Sequence, residues 1–551
     1  MMRTFAYFFA SIGVFALLPG AASGQSFEVA DVHVSAPATN SVMRGGFYRG
    51  GRYEVRTANM VGLISMAFGV DADKVVGGPG WLDNDRFDVI AKAPADATPE
   101  ALRTMLRTLL AERFRLMVHN DTRPLPAYVL TAGKKPQMKQ ADGSGDSGCR
   151  FQPPPTGVMI GPGSLISYSC RNMTLAAFAE AIRTMISGTL YLNGYRIVDR
   201  TELQGIWNFD VKYTLTTMPG PVAGPPGADV VTLFDAVEKQ LGLKLELTRV
   251  PMPVLTVDSV DEKPTENLPG VGEKLPVAPT EFEVADIKPS DPGAPGFQKG
   301  NAFQPGGRVD LQNYTLRSLI GLAWNIPRNL DTMIAGGPKF LDTDHFDIVA
   351  KASTGTSLTA SPNGSAPAQT VDPDSIRVMM RALLKDRFRL ALHNEERPLP
   401  GWALVSAKPK LRKADPSNRT GCKEGPGMDG KDPRTPVASR LVTCLNMTLA
   451  QYAQQLPLYA AGVLVGAGGG IVDETGLDGA YDMTLNFSLP GGGQSGAGRS
   501  GDAGGAPAAA DPGVITLFDA VEKQLGLKLE PRKNPATVLV IDHVEEKPTD
   551  N

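Results

Sequence analysis

The stretch TLFDAVEKQLGLKLE occurs twice in this chain, at residues 232–246 and 516–530, and all 15 positions are identical. A threonine before an amphipathic apolar run predicts a capped helix. Gly242 and its repeat Gly526 stand where a helix end favours a left-handed residue, and an alternating strand pattern follows. A repeat of this length predicts that one structural unit is built twice.

The same order of blocks runs outward from this stretch through both halves of the chain. The paired blocks are residues 27–31 with 282–286, 87–93 with 346–352, 113–126 with 387–400, 172–176 with 446–450, and 262–265 with 546–549. The sequence therefore predicts a tandem duplication, with a first copy at 25–267, a linker at 268–281 and a second copy at 282–551. The Pro-rich, polar composition around the linker favours a flexible connection.

The composition is that of a globular protein. Of 551 residues, 42% are hydrophobic and 21% are charged. The formal net charge of −3 argues against a broad nucleic-acid-binding surface. Away from the amino terminus no apolar run reaches the roughly 20 residues that span a bilayer, so we expect no transmembrane segment in the mature chain.

The first residues have the order of a secretory signal peptide. Arg3 precedes an apolar run at 5–18, and small residues follow at 21–24. A buried amino-terminal helix is the alternative interpretation. We expect residues 1–24 to be removed near Gln25, which places the mature protein in the periplasm or outside the cell.

Short helices and short strands alternate irregularly, which predicts an α+β fold. Each copy is expected to consist of small subdomains in which helices pack on a mixed sheet. Asn59, Asn313 and Asn172 are predicted helix caps, and residues 114–120 and 127–131 are predicted as two separate strands. The Ser/Thr/Pro/Gly-rich insertion at 353–371 is expected to be a flexible surface loop.

Each copy contains two cysteines that bracket a variable loop. In an exported protein such pairs form disulfides, and although four cysteines allow three connectivities, the duplication favours one pair per copy. Zinc is the competing hypothesis, but the clustered ligand spacing it needs is missing from the sequence. The predicted pairs are Cys149 with Cys170 and Cys422 with Cys444.

One cluster of histidine and arginine occupies equivalent positions in both copies. On a strand, alternate residues share a face, so these side chains are candidates for binding an anionic or polar ligand. The competing interpretations are a histidine that bonds to backbone and arginines in surface ion pairs. The candidate binding residues are Arg115, His119, Arg123, Arg389, His393 and Arg397.

No spacing in the sequence completes a catalytic set, and we assign no catalytic residue, metal ligand or cofactor. The string Gly-Asp-Ser-Gly at 145–148 matches the surroundings of the trypsin-like nucleophile, but it lacks a histidine motif upstream and the second copy does not repeat it. We interpret this string as part of a polar loop.

Taken together, these blocks resemble a soil-associated, acidobacterial-type family of exported domains of unknown function. The resemblance rests on Phe-Glu-Val-Ala-Asp, Arg-Phe-x-Leu with Arg-Pro-Leu-Pro, Asn-Met-Thr-Leu, and Val-Asp-x-Thr-x-Leu-x-Gly at 198–205 and 472–479. It covers nearly all of both copies and implies an exported bacterial protein. Some relatives carry the domain after a membrane metallopeptidase, and the family implies no activity or catalytic residues.

The end of each copy is also similar in pattern to the small amino-terminal domains of secretins and TonB-dependent receptors, which bind partners. We therefore expect a non-enzymatic tandem binding module whose partner is a protein or an envelope polymer. The alternatives are an extracytoplasmic hydrolase that uses His119 and His393 with nearby acids, and a sensor partner of a membrane metallopeptidase. A catalytic site would gather the repeated polar residues in a cleft, whereas a binder would carry them on an open surface.

Overall fold

The computed structural model describes residues 26–36, 43–153, 164–185, 195–214, 231–291, 298–326, 330–357, 369–416, 418–426, 439–460, 463–464, 468–488 and 515–549. The predicted signal peptide and its cleavage site lie outside these ranges. Strands exceed helices, and several small sheets carry helices on one face, so the α+β prediction is confirmed.

The first copy contains twelve strands among the described residues. They are β1 (Val29–Val34), β2 (Arg44–Arg49), β3 (Arg52–Asn59), β4 (Val75–Gly77), β5 (Arg86–Lys92), β6 (Met117–Ala132), β7 (Lys139–Gln140), β8 (Gly148–Gln152), β9 (Leu165–Met173), β10 (Arg196–Asp199), β11 (Trp207–Thr214) and β12 (Leu243–Ser259). The helices are α1 (Met60–Phe68), α2 (Pro99–Phe114), α3 (Leu175–Met185) and α4 (Leu233–Asp235), which a π-helical turn at Ala236–Gln240 continues. A short helix, α5 (Val271–Lys274), follows.

The second copy repeats this order. Its strands are β13 (Val284–Pro289), β14 (Lys299–Asn301), β15 (Arg308–Thr315), β16 (Ile334–Gly336), β17 (His345–Lys351), β18 (Gly355–Ser357), β19 (Gln369–Thr370), β20 (Ala391–Ser406), β21 (Arg412–Lys413), β22 (Gly421–Pro426), β23 (Ser439–Thr448), β24 (Ile471–Asp473), β25 (Ala480–Ser488) and β26 (Leu527–His543). Its helices are α6 (Leu316–Ala323), α7 (Leu330–Met333), α8 (Phe340–Thr343), α9 (Pro373–Arg387), α10 (Leu449–Tyr459) and α11 (Leu517–Ala520), continued by a π-helical turn at Val521–Leu525.

Each copy has two lobes joined by a long ribbon. In the first copy, the amino-terminal lobe is the antiparallel sheet β1-β5-β3-β2 with α1 and α2 against it. The other lobe is the sheet β7-β11-β9-β8 with α3 and the α4 segment. Strands β6 and β12 pair over their whole length and contribute side chains to the cores of both lobes.

The ribbon corrects the prediction of two separate strands, because β6 runs without a break through Pro124 and Pro126. On its outer side β6 pairs with β10 only at 127–130, so the described part of the chain places no strand beside the two prolines. A proline that faces an unpaired edge loses no ladder hydrogen bond, and a strand tolerates it there.

Three predicted local features are corrected by the structure. Phe114 ends α2 and Arg115 is its C-cap, with a left-handed φ of 49°, so no strand begins at Phe114. Asn172 lies in β9, and the side chain of Thr174 accepts the capping hydrogen bond of α3 from the backbone N–H of Ala177. Thr315, and not Asn313, caps α6. The residue that makes each of these two caps lies two positions after the predicted one, and β6 begins three positions after the predicted start.

Other predicted features are confirmed. Asn59 caps α1, and Gly242 has a φ of 68° at the end of the repeated helix. A Cβ atom at Gly242 would lie 2.2 Å from the carbonyl oxygen of Lys135, so this position requires glycine for space as well as conformation. The apolar face of α2 is buried as its spacing predicts.

A disulfide joins neighbouring strands in each copy. The pairs are Cys149–Cys170 between β8 and β9, and Cys422–Cys444 between β22 and β23. They fit the pairing that the duplication favours. No cysteine of the described chain is free.

The two copies are in direct contact through what we call the copy interface. Strand β18, from the insertion that was expected to be a loop, pairs with the edge strand β2 of the first copy, and β19 extends that sheet to six strands. Arg44 Nη1 lies 2.9 Å from Asp374 Oδ2, and Arg419 binds Asp83. The ends of the insertion are therefore ordered because they complete a sheet edge of the other copy.

Candidate functional site

The two equivalent histidines each bind a carboxylate on the neighbouring strand of the ribbon. His119 Nδ1 lies 2.8 Å from Asp258 Oδ1 and 3.0 Å from Oδ2. His393 Nδ1 lies at the same two distances from the carboxylate oxygens of Asp542. A histidine held this way presents its second ring nitrogen, Nε2, to other groups. Nε2 has no hydrogen-bond partner among the described residues in either copy.

A β-bulge brings the carboxylate to the histidine. In the first copy Val257 pairs with Val118 and Ser259 pairs with Met117, so Asp258 is the extra residue of β12. The second copy has the same irregularity, with Asp542 as the extra residue of β26. A bulge turns a side chain out of the normal alternation of the strand, which here aims it at the histidine.

The next alternate positions on the same face form an ion pair between an arginine and a carboxylate. In the first copy Arg123 Nε donates to Asp121 Oδ2 at 2.6 Å. In the second copy Arg397 Nη2 donates to Glu395 Oε2 at 2.7 Å. These bonds lower the pKa of the Asp121 and Glu395 carboxyl groups, and the nearby histidine adds to the effect.

Each copy therefore presents a polar strip on its ribbon, composed of a histidine, an acid and an arginine at alternate positions, with the bulge aspartate beside the histidine. We call these sets the first and second polar strips. Their members are His119, Asp121, Arg123 and Asp258 in the first copy, and His393, Glu395, Arg397 and Asp542 in the second.

The strips are open to solvent. The side chains of His119 and Asp258 are 51% and 42% exposed, and those of His393 and Asp542 are 53% and 46% exposed. Pairs this exposed interact weakly with each other, so their polar atoms remain available to a ligand.

The remaining predicted residues, Arg115 and Arg389, lie outside the strips. Both have left-handed φ angles at the point where a helix turns toward the ribbon. The side chain of Arg115 is 76% exposed, and its Nε atom lies 3.6 Å from Asp261 Oδ2. The structure thus brings four of the six predicted binding residues onto the strips.

The sequence interpretation missed Asp258, Asp542 and the acids at 121 and 395. A signal for the first two was present, since each stands four positions before the shared Glu-Lys-Pro-Thr block. The sequence alone does not show that each aspartate contacts a histidine. That contact depends on the bulge, which joins residues more than a hundred positions apart in the chain.

The Gly-Asp-Ser-Gly string lies in a loop next to the Cys149–Cys170 disulfide. Ser147 Oγ donates to the backbone carbonyl of Asn172 at 2.9 Å, so this hydroxyl holds the loop. The loop borders an open cavity of about 490 Å³ on the carboxy-terminal lobe of the first copy. Its lining is polar and includes Asp142, Asp146, Arg150 and Arg171.

Two other features are absent from the described residues, a metal-binding cluster and a membrane-spanning helix. No three His, Cys, Asp or Glu side chains come together there as a metal site would require. None of the helices within these ranges has the length and apolar character needed to cross a membrane.

Comparison with known proteins gives one match. A family model described as a protein of unknown function, DUF3738, matches residues 61–260 and again residues 317–544. No curated protein and no solved structure matches the chain. The likeness to secretin and TonB-receptor domains therefore stays a prediction.

Proposed function

The chain belongs to the DUF3738 family and contains two copies of its domain, and we propose that it is a non-enzymatic tandem binding protein that presents one polar strip on each copy. The observation that carries this proposal is the exposed histidine–aspartate pair that recurs on the open ribbon of both copies. We set the copies at 25–267 and 282–551, with the connecting segment at 268–281.

The chemistry of a strip suits a ligand that both donates and accepts hydrogen bonds. A histidine that donates Nδ1–H to Asp258 offers Nε2 as an acceptor while the ring is neutral. The arginine retains N–H groups beyond those it gives to its acid partner, and the carboxylates accept. A hydroxyl-rich envelope polymer or the polar surface of a partner protein provides matching groups.

Two strips on one chain favour a ligand that repeats. Binding at the first strip raises the effective concentration of ligand at the second, so the avidity exceeds either affinity by about 10²–10⁴-fold when the geometry allows both contacts. A polymer or an oligomeric partner meets this condition.

We further propose that the protein is exported, to the periplasm or beyond the cell, after cleavage near Gln25. The two disulfides support an oxidising compartment. The acidobacterial-type resemblance of the motifs supports export from a bacterial cell. A sensor partner of a membrane metallopeptidase stays an alternative function.

A hydrolase is the second candidate, because a histidine oriented by a carboxylate is the base of many hydrolytic sites. Such a site also needs a nucleophile or an activated water beside Nε2. The open strand face offers little to exclude water, which favours binding over catalysis.

The test uses the purified mature chain, envelope fragments and polysaccharides as probes, with thermal shift and product release read on the same samples. We expect a melting shift without product release. His119→Ala or His393→Ala alone should lower the apparent affinity by about 10²-fold, and the double variant should abolish binding.

His345→Ala is the matched control, because no histidine stands at the equivalent position of the first copy and the His345 ring bonds to the backbone carbonyl of Thr343, away from the strips. Product release that the double variant loses would support the hydrolase instead. Binding that survives in the double variant would refute the role of the strips.

A further inference from the structure

The amino-terminal lobe of the first copy holds an arginine that belongs to the second copy. Arg419 Nε and Nη2 donate to the two carboxylate oxygens of Asp83, at 2.5 and 2.6 Å. Arg419 Nη1 donates to the backbone carbonyl of Val75 at 2.5 Å. A carboxylate and a carbonyl thus bind three nitrogens of one guanidinium group.

The second copy has the same set of acceptors, an aspartate carboxylate and a backbone carbonyl, which we call the receptor. There, an arginine of the second copy itself occupies the receptor. Arg317 Nε and Nη2 donate to Asp342 at 2.6 and 3.0 Å, and Nη1 donates to the carbonyl of Ile334 at 2.8 Å. Counted from the shared Phe-Asp block, Asp342 and Ile334 are the equivalents of Asp83 and Val75. One guanidinium site is therefore present in both copies.

The two receptors differ in what stands around the site. Arg317 is the second residue of α6, and the equivalent second residue of α1 is Val61, which cannot reach the site as an arginine does. The first copy thus leaves its receptor open to an arginine from elsewhere.

A glycine makes room for the loop that brings this arginine. Gly80 accepts a hydrogen bond from the backbone N–H of Thr420 at 3.0 Å. A Cβ atom at Gly80 would lie 2.7 Å from Asn446 Nδ2 and 3.1 Å from the carbonyl oxygen of Asn418. The second copy has Lys339 at this position, so a side chain stands where the first copy admits a loop.

The inserting loop is specific to the second copy as well. Counted from the disulfides, the equivalent of Arg419 in the first copy is Asp146. Asp146 cannot take the role of Arg419, because one carboxylate does not bind the carboxylate of another receptor. Donor and acceptor are therefore each present once per chain, and the contact does not repeat in a head-to-tail series.

From these observations we propose that Asp83, the Val75 carbonyl and Gly80 form a guanidinium-binding docking site, whose occupant is the loop carrying Arg419 in the same chain. Docking joins the copies into one body and fixes the distance between the two polar strips. This site is separate from the strips, and the inference does not depend on the proposed binding function.

Two variants of the full chain test the docking site, one by changing its occupant and the other by changing the site itself. Arg419→Ala removes the occupant, and Gly80→Lys introduces the residue that the second copy has at its own receptor. We expect each variant to weaken the copy interface, although the pairing of β18 with β2 remains. The radius of gyration, measured by small-angle scattering, should then rise above its compact value of about 24 Å.

Arg412→Ala is the matched control, because Arg412 is an exposed arginine that pairs with Asp482 inside the second copy. It should leave the radius unchanged. Circular dichroism checks that both test variants keep their secondary structure, since neither residue belongs to a lobe core.

Added methylguanidinium tests whether the site recognises the guanidinium group of Arg419 or only packs against its side chain. It should return the Arg419→Ala variant toward the compact radius, and it should not do so for Gly80→Lys, whose lysine blocks the approach. An unchanged radius in both variants would refute the docking site. A wild-type dimer that Arg419→Ala converts to monomer would overturn the assignment to the same chain.

Discussion

Asp88, the aspartate of the repeated Phe-Asp block, is predicted to stabilise the amino-terminal lobe of the first copy through one buried and one part-buried hydrogen bond. Its Oδ1 atom accepts from Ser35 Oγ at 2.6 Å and from the backbone N–H of Thr57 at 2.8 Å. Thr57 has a left-handed φ of 50° at an irregularity between β3 and β5. The second copy repeats both bonds with Asp347.

Asp88→Ala leaves the Thr57 N–H and the Ser35 hydroxyl without an acceptor. Loss of the acceptor for the buried Thr57 N–H costs about 1–3 kcal/mol, and loss of the part-buried Ser35 bond costs about 1 kcal/mol more. We therefore expect a loss of about 2–4 kcal/mol in the free energy of unfolding of this copy. At about 2–4 °C per kcal/mol for a unit of this size, the melting temperature of the first copy should fall by about 4–16 °C. Asp88→Asn retains an acceptor oxygen and should lose less.

Differential scanning calorimetry measures the effect, and Asp347→Ala serves as the equivalent change in the second copy. Binding to envelope probes should persist in Asp88→Ala below its melting temperature, because the polar strips lie on the ribbon. A fall of less than about 1 °C would refute the argument that this repeated acid is structural.

Three further predictions concern stability. Removing the first disulfide by Cys149→Ala with Cys170→Ala should cost about 3 kcal/mol from the entropy of a loop of 21 residues; urea unfolding of the oxidised wild type and the variant measures it, and equal midpoints would contradict it. Glu202→Gly should stabilise the first copy by about 1 kcal/mol, because residue 202 has a φ of 59° and the second copy has Gly476 at the equivalent position; a lower melting temperature would show that the Glu202 side chain contributes more than the strain costs. Burial, with the charge of a neighbouring aspartate, raises the pKa of Asp372 above 3.8, so its ionised form destabilises the fold at neutral pH and this penalty disappears as the pH falls through the raised pKa. Asp372→Asn retains a helix cap and should melt higher than the wild type at pH 7, with the gap closing toward pH 3.8; a constant gap across this range would count against a titrating Asp372.

The copy interface changes how bivalent binding is expected to work. The sequence favoured two copies on a flexible linker, but the contacts between them hold their lobes together. Within the connecting segment, Val271 is buried and the carbonyl of Pro276 accepts a hydrogen bond from Arg52. A fixed spacing selects for ligands whose own repeat matches it, since avidity disappears when the geometry forbids both contacts.

Several repeated motifs are explained by structure alone. In the Val-Asp-x-Thr-x-Leu-x-Gly motif, Asp199 Oδ1 accepts from both the backbone N–H and the hydroxyl of Thr201, and Asp473 does the same for Thr475. The motif therefore builds a turn. Residues that maintain the fold are therefore repeated in both copies just as the residues of the polar strips are.

The sequence by itself determined the features that depend on local pattern or on comparison between the halves. The identical block at 232–246 and 516–530 established the duplication, the spacing of leucines established the buried face of α2, and the cysteine positions favoured one bridge per copy. These signals are readable because each depends on neighbouring residues or on internal repetition.

The tertiary structure decided what distant residues do together. A bulge in β12 brings Asp258 to His119, and an open receptor in one copy accepts Arg419 from the other. Neither pairing has a signature in the local sequence, because strand register and the contact between the copies arise only when segments far apart in the chain pack against each other.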